Sequence, residues 1–322
     1  MSEQSLVDVQ DLVVRFAVGG RGGKPRYITP VDNVSFQIGQ REVLSVVGES
    51  GSGKSTIGRA LIRALTPSRG KIHFNGTDVT KTKGRGLKAY REDVQMIFQD
   101  PFGSLNPVNT IEQHLKFPIR KHQHLTGSKL SDKVEELLTV VGLTPANEVR
   151  YKYPHELSGG QRQRIAIARA LAVNPKFLVA DEPISMLDVS IRADILELLN
   201  QLKENFDLSY LYITHDLASA HYFGDRIMVL YGGRVMEIGE SDELVRNPKH
   251  PYTHLLLAAT PGTSTRRNLR ETTIQAPNLF EGRKGCPFAH RCPKVTDVCR
   301  KTAPSLSTVD NDTHHVACHH ID

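Results

Sequence analysis

Nine residues, Gly48-Glu49-Ser50-Gly51-Ser52-Gly53-Lys54-Ser55-Thr56, constrain this chain more than any other feature. They fit the spacing G-x-x-x-x-G-K-[ST] and stand between the apolar run Val43–Val47 and a helical pattern over residues 55–65. The order strand, glycine loop, helix is the context in which such a loop holds phosphate. Glycines let the backbone curl so that successive N–H groups and the helix N-terminus face an anion. Lys54 then reaches the terminal phosphates and Ser55 is suited to Mg²⁺. The alternative, a simple Gly/Ser turn before a helix, does not account for the flanking elements.

The rest of the chain supports an α/β core around that loop. Short β-type runs are expected at residues 12–16, 34–38 and 43–47, with a flexible glycine loop over residues 19–25. From about 100 to 164 the pattern turns helical, with Asn106-Pro107 and Tyr153-Pro154 as breaks, which predicts a helical insert. Alternation returns with a helix over 161–172, a strand over 177–180, a helix over 191–205 and a strand over 208–214. Tyr231-Gly232-Gly233-Arg234, flanked by apolar runs, reads as a hairpin. Beyond residue 250 periodicity fades, so a boundary is placed there and the remainder is expected to be a small irregular extension.

Composition narrows the function classes. The chain has 322 residues, 39% hydrophobic, enough for one large or two modest domains. No run approaches 18 uncharged apolar residues, so membrane spans must come from partners. Residues 1–11 carry acids and no apolar core, so neither a secretory signal nor a transit peptide is expected, and the chain is expected to stay in the cytoplasm. Lys plus Arg exceed the acids by 41 to 35, an imbalance that fits nucleic acid or an anionic membrane surface equally. All four cysteines fall within the last 37 residues, which marks a separate thiol feature.

Two further segments suit nucleotide chemistry. Phe177-Leu178-Val179-Ala180-Asp181-Glu182 is a buried-strand run ending in two acids, costly there without a cation or proton to manage. Asp181 is the candidate for orienting Mg²⁺ and Glu182 for handling the attacking water. Leu157-Ser158-Gly159-Gly160-Gln161 opens a helix and could make a second anion-binding end, although spacing alone favours an ordinary N-cap with glycine flexibility.

Together these segments resemble the ATP-binding cassette (ABC) ATPases, with Gly48 to Thr56 as Walker A and residues 157–161 as the signature. The family's other marks follow in order: Gln99 matches the Q-loop, Asp188 the D-loop and His215 the switch histidine. The resemblance implies a P-loop NTPase core of the RecA-like, ABC type, with an N-terminal antiparallel β-subdomain and the helical insert. Residues 1–250 would form the nucleotide-binding domain, with a signature subdomain at about 100–164. It implies ATP and Mg²⁺, the metal held by Ser55, Gln99 and Asp181, and a γ-phosphate contact from His215. It further implies two cassettes sandwiching two nucleotides, so that Ser158, Gly159, Gly160 and Gln161 act on the partner's ATP. Phe16 corresponds to the aromatic that stacks on adenine, with Tyr27 as rival. Met186 departs from the usual alanine of the D-loop.

The segments Asp100-Pro101-Phe102-Gly103-Ser104-Leu105-Asn106-Pro107 and His250-Pro251-Tyr252-Thr253 resemble the oligopeptide and dipeptide importer ATPases. So does a C-terminal extension, residues 251–322, bearing Cys286, Cys292, Cys299 and Cys318. Their spacing, C-x5-C-x6-C-x18-C, is wider than structural zinc pairs, and spacing alone leaves iron–sulfur, zinc and no metal open. The resemblance implies a [4Fe-4S] cluster, with zinc second. His314, His315, His319 and His320 are potential extra ligands, read here as solvated tail residues. Expected partners are two integral membrane permease subunits, a second and different ABC ATPase subunit and an extracytoplasmic solute-binding protein, without nucleic acid, at the cytoplasmic face of the membrane. Oligosaccharide or nickel import is the alternative within the family, and action on DNA or ribosomes a distant one.

Overall fold

The computed structural model describes residues 5–19, 26–259, 279–280, 284–309 and 311–321. Most of the glycine loop expected over 19–25 lies outside the described residues. The chain divides into two units, residues 1–82 with 212–322, and residues 83–211.

In the first unit β1 (Val7–Val18) pairs antiparallel with β2 (Arg26–Ile38) and β4 (Arg69–Phe74), and β5 (Thr77–Asp78) completes a sheet of order β2-β1-β4-β5. Val7, Val9 and Val34, Phe36, Ile38 alternate inward, which fixes register, because a one-residue slip would turn each of them to solvent. Strand β3 (Val43–Val47) is wholly buried and feeds the phosphate loop and α1 (Lys54–Leu61). It runs parallel to β9 (Arg226–Tyr231), which follows α9 (Leu217–Phe223). A two-residue turn returns β9 into β10 (Arg234–Glu240), with Gly232 at φ 56° and Gly233 at φ 82°. Both central residues thus occupy the left-handed region that the tightest hairpin turn requires.

The chain continues through α10 (Ser241–Arg246) and α11 (Pro251–Ala259). The extension expected to be irregular contains regular structure: α12 (Asp297–Lys301), β11 (Ser307–Val309) and β12 (Asn311–Val316). Strand β12 pairs antiparallel with β10, so the extension enlarges the sheet of this unit. Its elements are too short for sequence periodicity to reveal them, and pairing with a preformed edge supplies the order.

The second unit carries α2 (Gly84–Asp93), β6 (Val94–Ile97), α3 (Pro101–Ser104), α4 (Ile111–His122), α5 (Gly127–Val140), α6 (Ala146–Val149) and α7 (Gly159–Leu171). Strand β7 (Phe177–Asp181) pairs parallel with β6. Then come α8 (Val189–Phe206) and β8 (Ser209–Thr214), and the boundary between the two units falls within β8, after Leu211. Helix α4 starts at a capping box in which Thr110 and Gln113 bond each other's backbone N–H. Helix α5 buries Leu130, Val134, Leu137 and Leu138, which form one helical stripe. Among the described residues no helix is long and apolar enough to cross a membrane.

Candidate functional site

In the first unit the loop between β3 and α1 is held tightly. Gly53 is the N-cap of α1 at φ 107°, and a Cβ there would stand 2.0 Å from the Pro30 carbonyl oxygen. A Cβ on Gly48 would stand 2.1 Å from the Leu230 carbonyl oxygen. Close backbone approach therefore requires glycine at both positions, and at Gly53 the left-handed φ requires it as well. The loop is tied to the β9–β10 turn, since Gly233 N donates to Ser52 O at 2.9 Å. Ser52 and Lys54 are buried, Ser55 and Thr56 half-buried, and Ser50 and Gly51 exposed.

Lys54 Nζ donates to the carbonyls of Gly48 at 2.7 Å and Glu49 at 3.1 Å. The ammonium is thus folded back over its own loop, at the opening of a helix whose N-terminus favours anions. His215 follows β8 and is exposed. The next residue, Asp216, caps α9 by accepting from Ala218 N at 3.0 Å and Ser219 N at 3.2 Å. Phe16, on β1, is 37% exposed, whereas the ring of Tyr27 is covered by Arg15, whose guanidinium carbon lies 4.5 Å from its centroid.

The second unit brings Gln99 and Glu182 together. All of β7 is buried, Asp181 included. Glu182 follows at φ 47°, an uncommon conformation for a side chain with a Cβ, and its carbonyl accepts from Ser185 Oγ at 3.0 Å. Gln99 lies beyond the end of β6, and its Nε2 donates to Glu182 Oε2 at 3.0 Å.

The signature residues Ser158 and Gln161 form a capping box on α7: Ser158 Oγ accepts from Gln161 N at 3.3 Å, and Gln161 Oε1 from Ser158 N at 3.0 Å. Gly159 and Gly160 open that helix, and a Cβ on Gly160 would stand 2.7 Å from Ile191 Cγ2. Asp188 is the N-cap of α8 without a side-chain cap bond, next to exposed Met186 and Val189.

The four cysteines are free thiols, Cys299 buried and Cys286, Cys292 and Cys318 half-buried. Burial pushes the Cys286 thiol up to about 11, and the neighbouring Cys292, Cys318 and Cys299 add to the rise. Burial also raises Cys292 and Cys318, again with neighbouring thiols contributing. Among the described residues no three His, Cys, Asp or Glu side chains are grouped to hold a metal ion, so the geometry lends the expected metal centre no support.

The histidines expected to be solvated are engaged. His314 is fully buried with its Nε2 2.8 Å from Glu237 Oε1, and His320 Nε2 lies 2.8 Å from Thr296 Oγ1. His319 Nε2 lies 2.9 Å from the Thr302 carbonyl and His315 Nδ1 3.1 Å from Thr308 Oγ1.

Sequence reasoning assigned no role to Glu49, Tyr231, Glu237 or Arg291. Glu237 sits inside β10 among apolar neighbours and accepts from Lys249 N at 2.8 Å and His250 N at 3.0 Å. Burial works to raise its pKa, but these bonds and those from His314 and Thr253 outweigh it and hold the carboxyl below its ordinary value. An acid within an apolar strand run was the available signal.

Residues 31–185 match the model of the ABC transporter family, and residues 236–299 that of the oligopeptide/dipeptide transporter C-terminal region. The chain is 42% identical over 327 residues to the oligopeptide transport ATP-binding protein AppF of Bacillus subtilis, covering 99% of this chain and 98% of the relative. It is 41% identical over 305 residues to the dipeptide transport ATP-binding protein DppF of Haemophilus influenzae, covering 94% and 92%. Among solved structures, a dimeric post-hydrolysis state of the ATP-binding cassette MJ0796 bound to ADP and Pi is similar with a TM-score of 0.65. It is 29% identical and covers 73% of this chain and 98% of that one. The cbiO1 protein of Clostridium perfringens, part of the ABC transporter complex cbiONQ, gives a TM-score of 0.66 at 26% identity, covering 76% and 92%.

Proposed function

The chain belongs to the ABC transporter family, among its oligopeptide and dipeptide ATP-binding proteins, and from that membership we propose that it is the ATPase subunit powering import of oligopeptides or dipeptides through separate membrane permease subunits. The observation that carries this reading is the joint presence, in one chain, of the phosphate loop with Lys54 folded over it and of the transporter-specific C-terminal region.

The site residues take the following roles. Gly48, Ser50, Gly51, Ser52, Gly53 and Thr56 shape the cradle whose amides receive phosphate oxygens, and Lys54 leaves its two carbonyls for the terminal phosphates. Ser55, Gln99 and Asp181 serve Mg²⁺, which supplies charge neutralisation on the phosphates when bound. Glu182 orients water and takes its proton as the water oxygen bonds the γ-phosphorus and the bond to the bridging oxygen breaks, leaving ADP and phosphate. His215 steadies the γ-phosphate. Exposure of Phe16 against the covered ring of Tyr27 supports Phe16 as the adenine platform. Ser158, Gly159, Gly160 and Gln161, with Asp188, act across a cassette pair on the partner's nucleotide.

Residues 1–250 constitute the nucleotide-binding domain, with a signature subdomain at about 100–164, and residues 251–322 the extension. The full assembly comprises two permease subunits, a second and different ATPase and an extracytoplasmic solute-binding protein. The chain sits peripherally on the cytoplasmic face.

For the thiols we propose a shared iron–sulfur site. Cys286, Cys292, Cys299 and Cys318, all free thiols, would be its ligands. The mutual electrostatic influence of the thiols supports one common site. Such a cluster is structural or regulatory, since hydrolysis needs no electron. Anaerobic purification with iron and sulfide analysis tests it, and colourless, iron-free protein would exclude it.

Affinity purification from native membranes in mild detergent tests the assignment as a whole. Co-purifying permeases, a second ATPase and a solute-binding protein are expected, and recovery with ribosomes or nucleic-acid proteins alone would overturn it.

A further inference from the structure

Glu49, the second residue of the phosphate loop, is fixed at each of its polar groups. Its N–H donates to Tyr252 Oη at 3.0 Å. Its carboxylate accepts from Arg291 Nη1, which lies 2.8 Å from both oxygens. Its carbonyl accepts from Ser52 N and from Lys54 Nζ, each at 3.1 Å. Tyr252 and Arg291 both come from beyond residue 250, whereas the groups they orient carry the phosphate-binding lysine.

From this arrangement we propose that Arg291 and Tyr252 are positioning residues for the phosphate loop, acting through Glu49. The inference rests on the ATP-binding role given above for the loop. The clamp is rigid. The Arg291 side chain is 7% exposed and its guanidinium carbon lies 5.9 Å from the Tyr231 centroid and 5.8 Å from that of Phe288. Tyr252 is fully buried, its ring centroid 4.7 Å from Tyr231 and 5.3 Å from Phe288. Three aromatic rings therefore hold the two polar tips in place, and little side-chain entropy remains to be lost when they grip Glu49.

The charge pattern explains why a clamp is required. A loop built to receive a polyanion carries a carboxylate at its second position, and that carboxylate repels phosphate unless it is neutralised. Arg291 neutralises it from behind the loop, leaving the amides and Lys54 to face the ligand. Burial opposes the charge of Arg291, yet the bonds to Tyr231 and Glu49 more than offset this and keep it firmly cationic. The peptide-transporter extension is thus wired into the nucleotide site of its own chain.

The test is equilibrium binding of MgATP to the full chain by calorimetry. The wild-type constant measures the nucleotide site itself, and the ratios among variants measure the clamp. Arg291→Gln is expected to weaken binding about tenfold, and the deficit shrinks as salt is raised. Adding Glu49→Gln to Arg291→Gln restores binding to within about threefold of wild type, because the repelling charge is gone. A merely structural role for Arg291 would not be rescued in that way. Tyr252→Phe keeps the ring packing and removes only the acceptor of the Glu49 N–H, and is expected to weaken binding about threefold at unchanged Tm. Arg291→Gln binding within twofold of wild type, a double variant as weak as Arg291→Gln, or a Tyr252→Phe constant equal to wild type would each overturn the proposal.

Discussion

Gln99 and Glu182 are joined by a hydrogen bond of 3.0 Å from Nε2 to Oε2. Parallel pairing of β6 with β7, with Ile97 opposite Ala180, sets the ends of the two strands side by side and brings the residues just beyond them together. The carboxyl ends of parallel strands are where α/β proteins place their ligand chemistry. Glu182 adopts φ 47° at that point, a conformation that turns the chain away immediately after Asp181.

Replacing Glu182 by Gln keeps the side-chain shape and removes the proton acceptor. Phosphate release by the assembled transporter is expected to fall by roughly 10²- to 10⁴-fold. ATP affinity should stay within about twofold of wild type, since the interaction lost belongs to the transition state. Full retained turnover would refute the role given to Glu182.

The glycines of the phosphate loop are not equivalent. Gly53→Ala places a Cβ 2.0 Å from the Pro30 carbonyl oxygen at φ 107°. It is expected to destabilise the chain by about 3 kcal/mol or more, because a backbone oxygen must move. At Gly51, φ 78°, a Cβ meets nothing within 4 Å, and Ala is expected to cost only about 1 kcal/mol of backbone strain. Urea unfolding of the two variants measures the difference.

His250 gives the fold a dependence on pH. It is buried, and burial lowers its pKa to about 4 from 6.5. The folded protein therefore keeps it neutral while the unfolded chain takes up a proton as pH falls through 6.5. Stability is unaffected well above pH 6.5 and declines between 6.5 and 4 by about 1.4 kcal/mol per pH unit, to a total near 3 kcal/mol. Glu237, held below its ordinary value, also contributes stability above the unfolded carboxylate pKa, which is lost as pH falls through its folded value. Denaturant titrations at pH 7, 6 and 5 check the slope, which His250→Gln should reduce across that range.

The buried contact between Glu237 and His314 ties β12 to β10. His314→Leu leaves the carboxylate buried without that partner and is expected to cost about 3 kcal/mol. Amide exchange should show β11 and β12 opening first, since they owe their order to that edge. Unchanged exchange in the variant would show that the contact does not hold the extension.

What the sequence determined by itself was local in origin. The phosphate loop, the acid-ended strand, the capped signature helix and the Gly232-Gly233 turn each depend on residues within a few positions of one another, so spacing and backbone chemistry reveal them. Their order along the chain then carried the family resemblance. Tertiary structure alone decided the contacts between distant residues: Arg291 meets Glu49 across 242 positions, Tyr252 meets it across 203, and His314 meets Glu237 across 77. No periodicity marks such partners, because a buried charge is tolerated only where another segment arrives to bond it, and that arrival is a property of packing. The histidines read as a solvated tail became a strand and its anchors for the same reason.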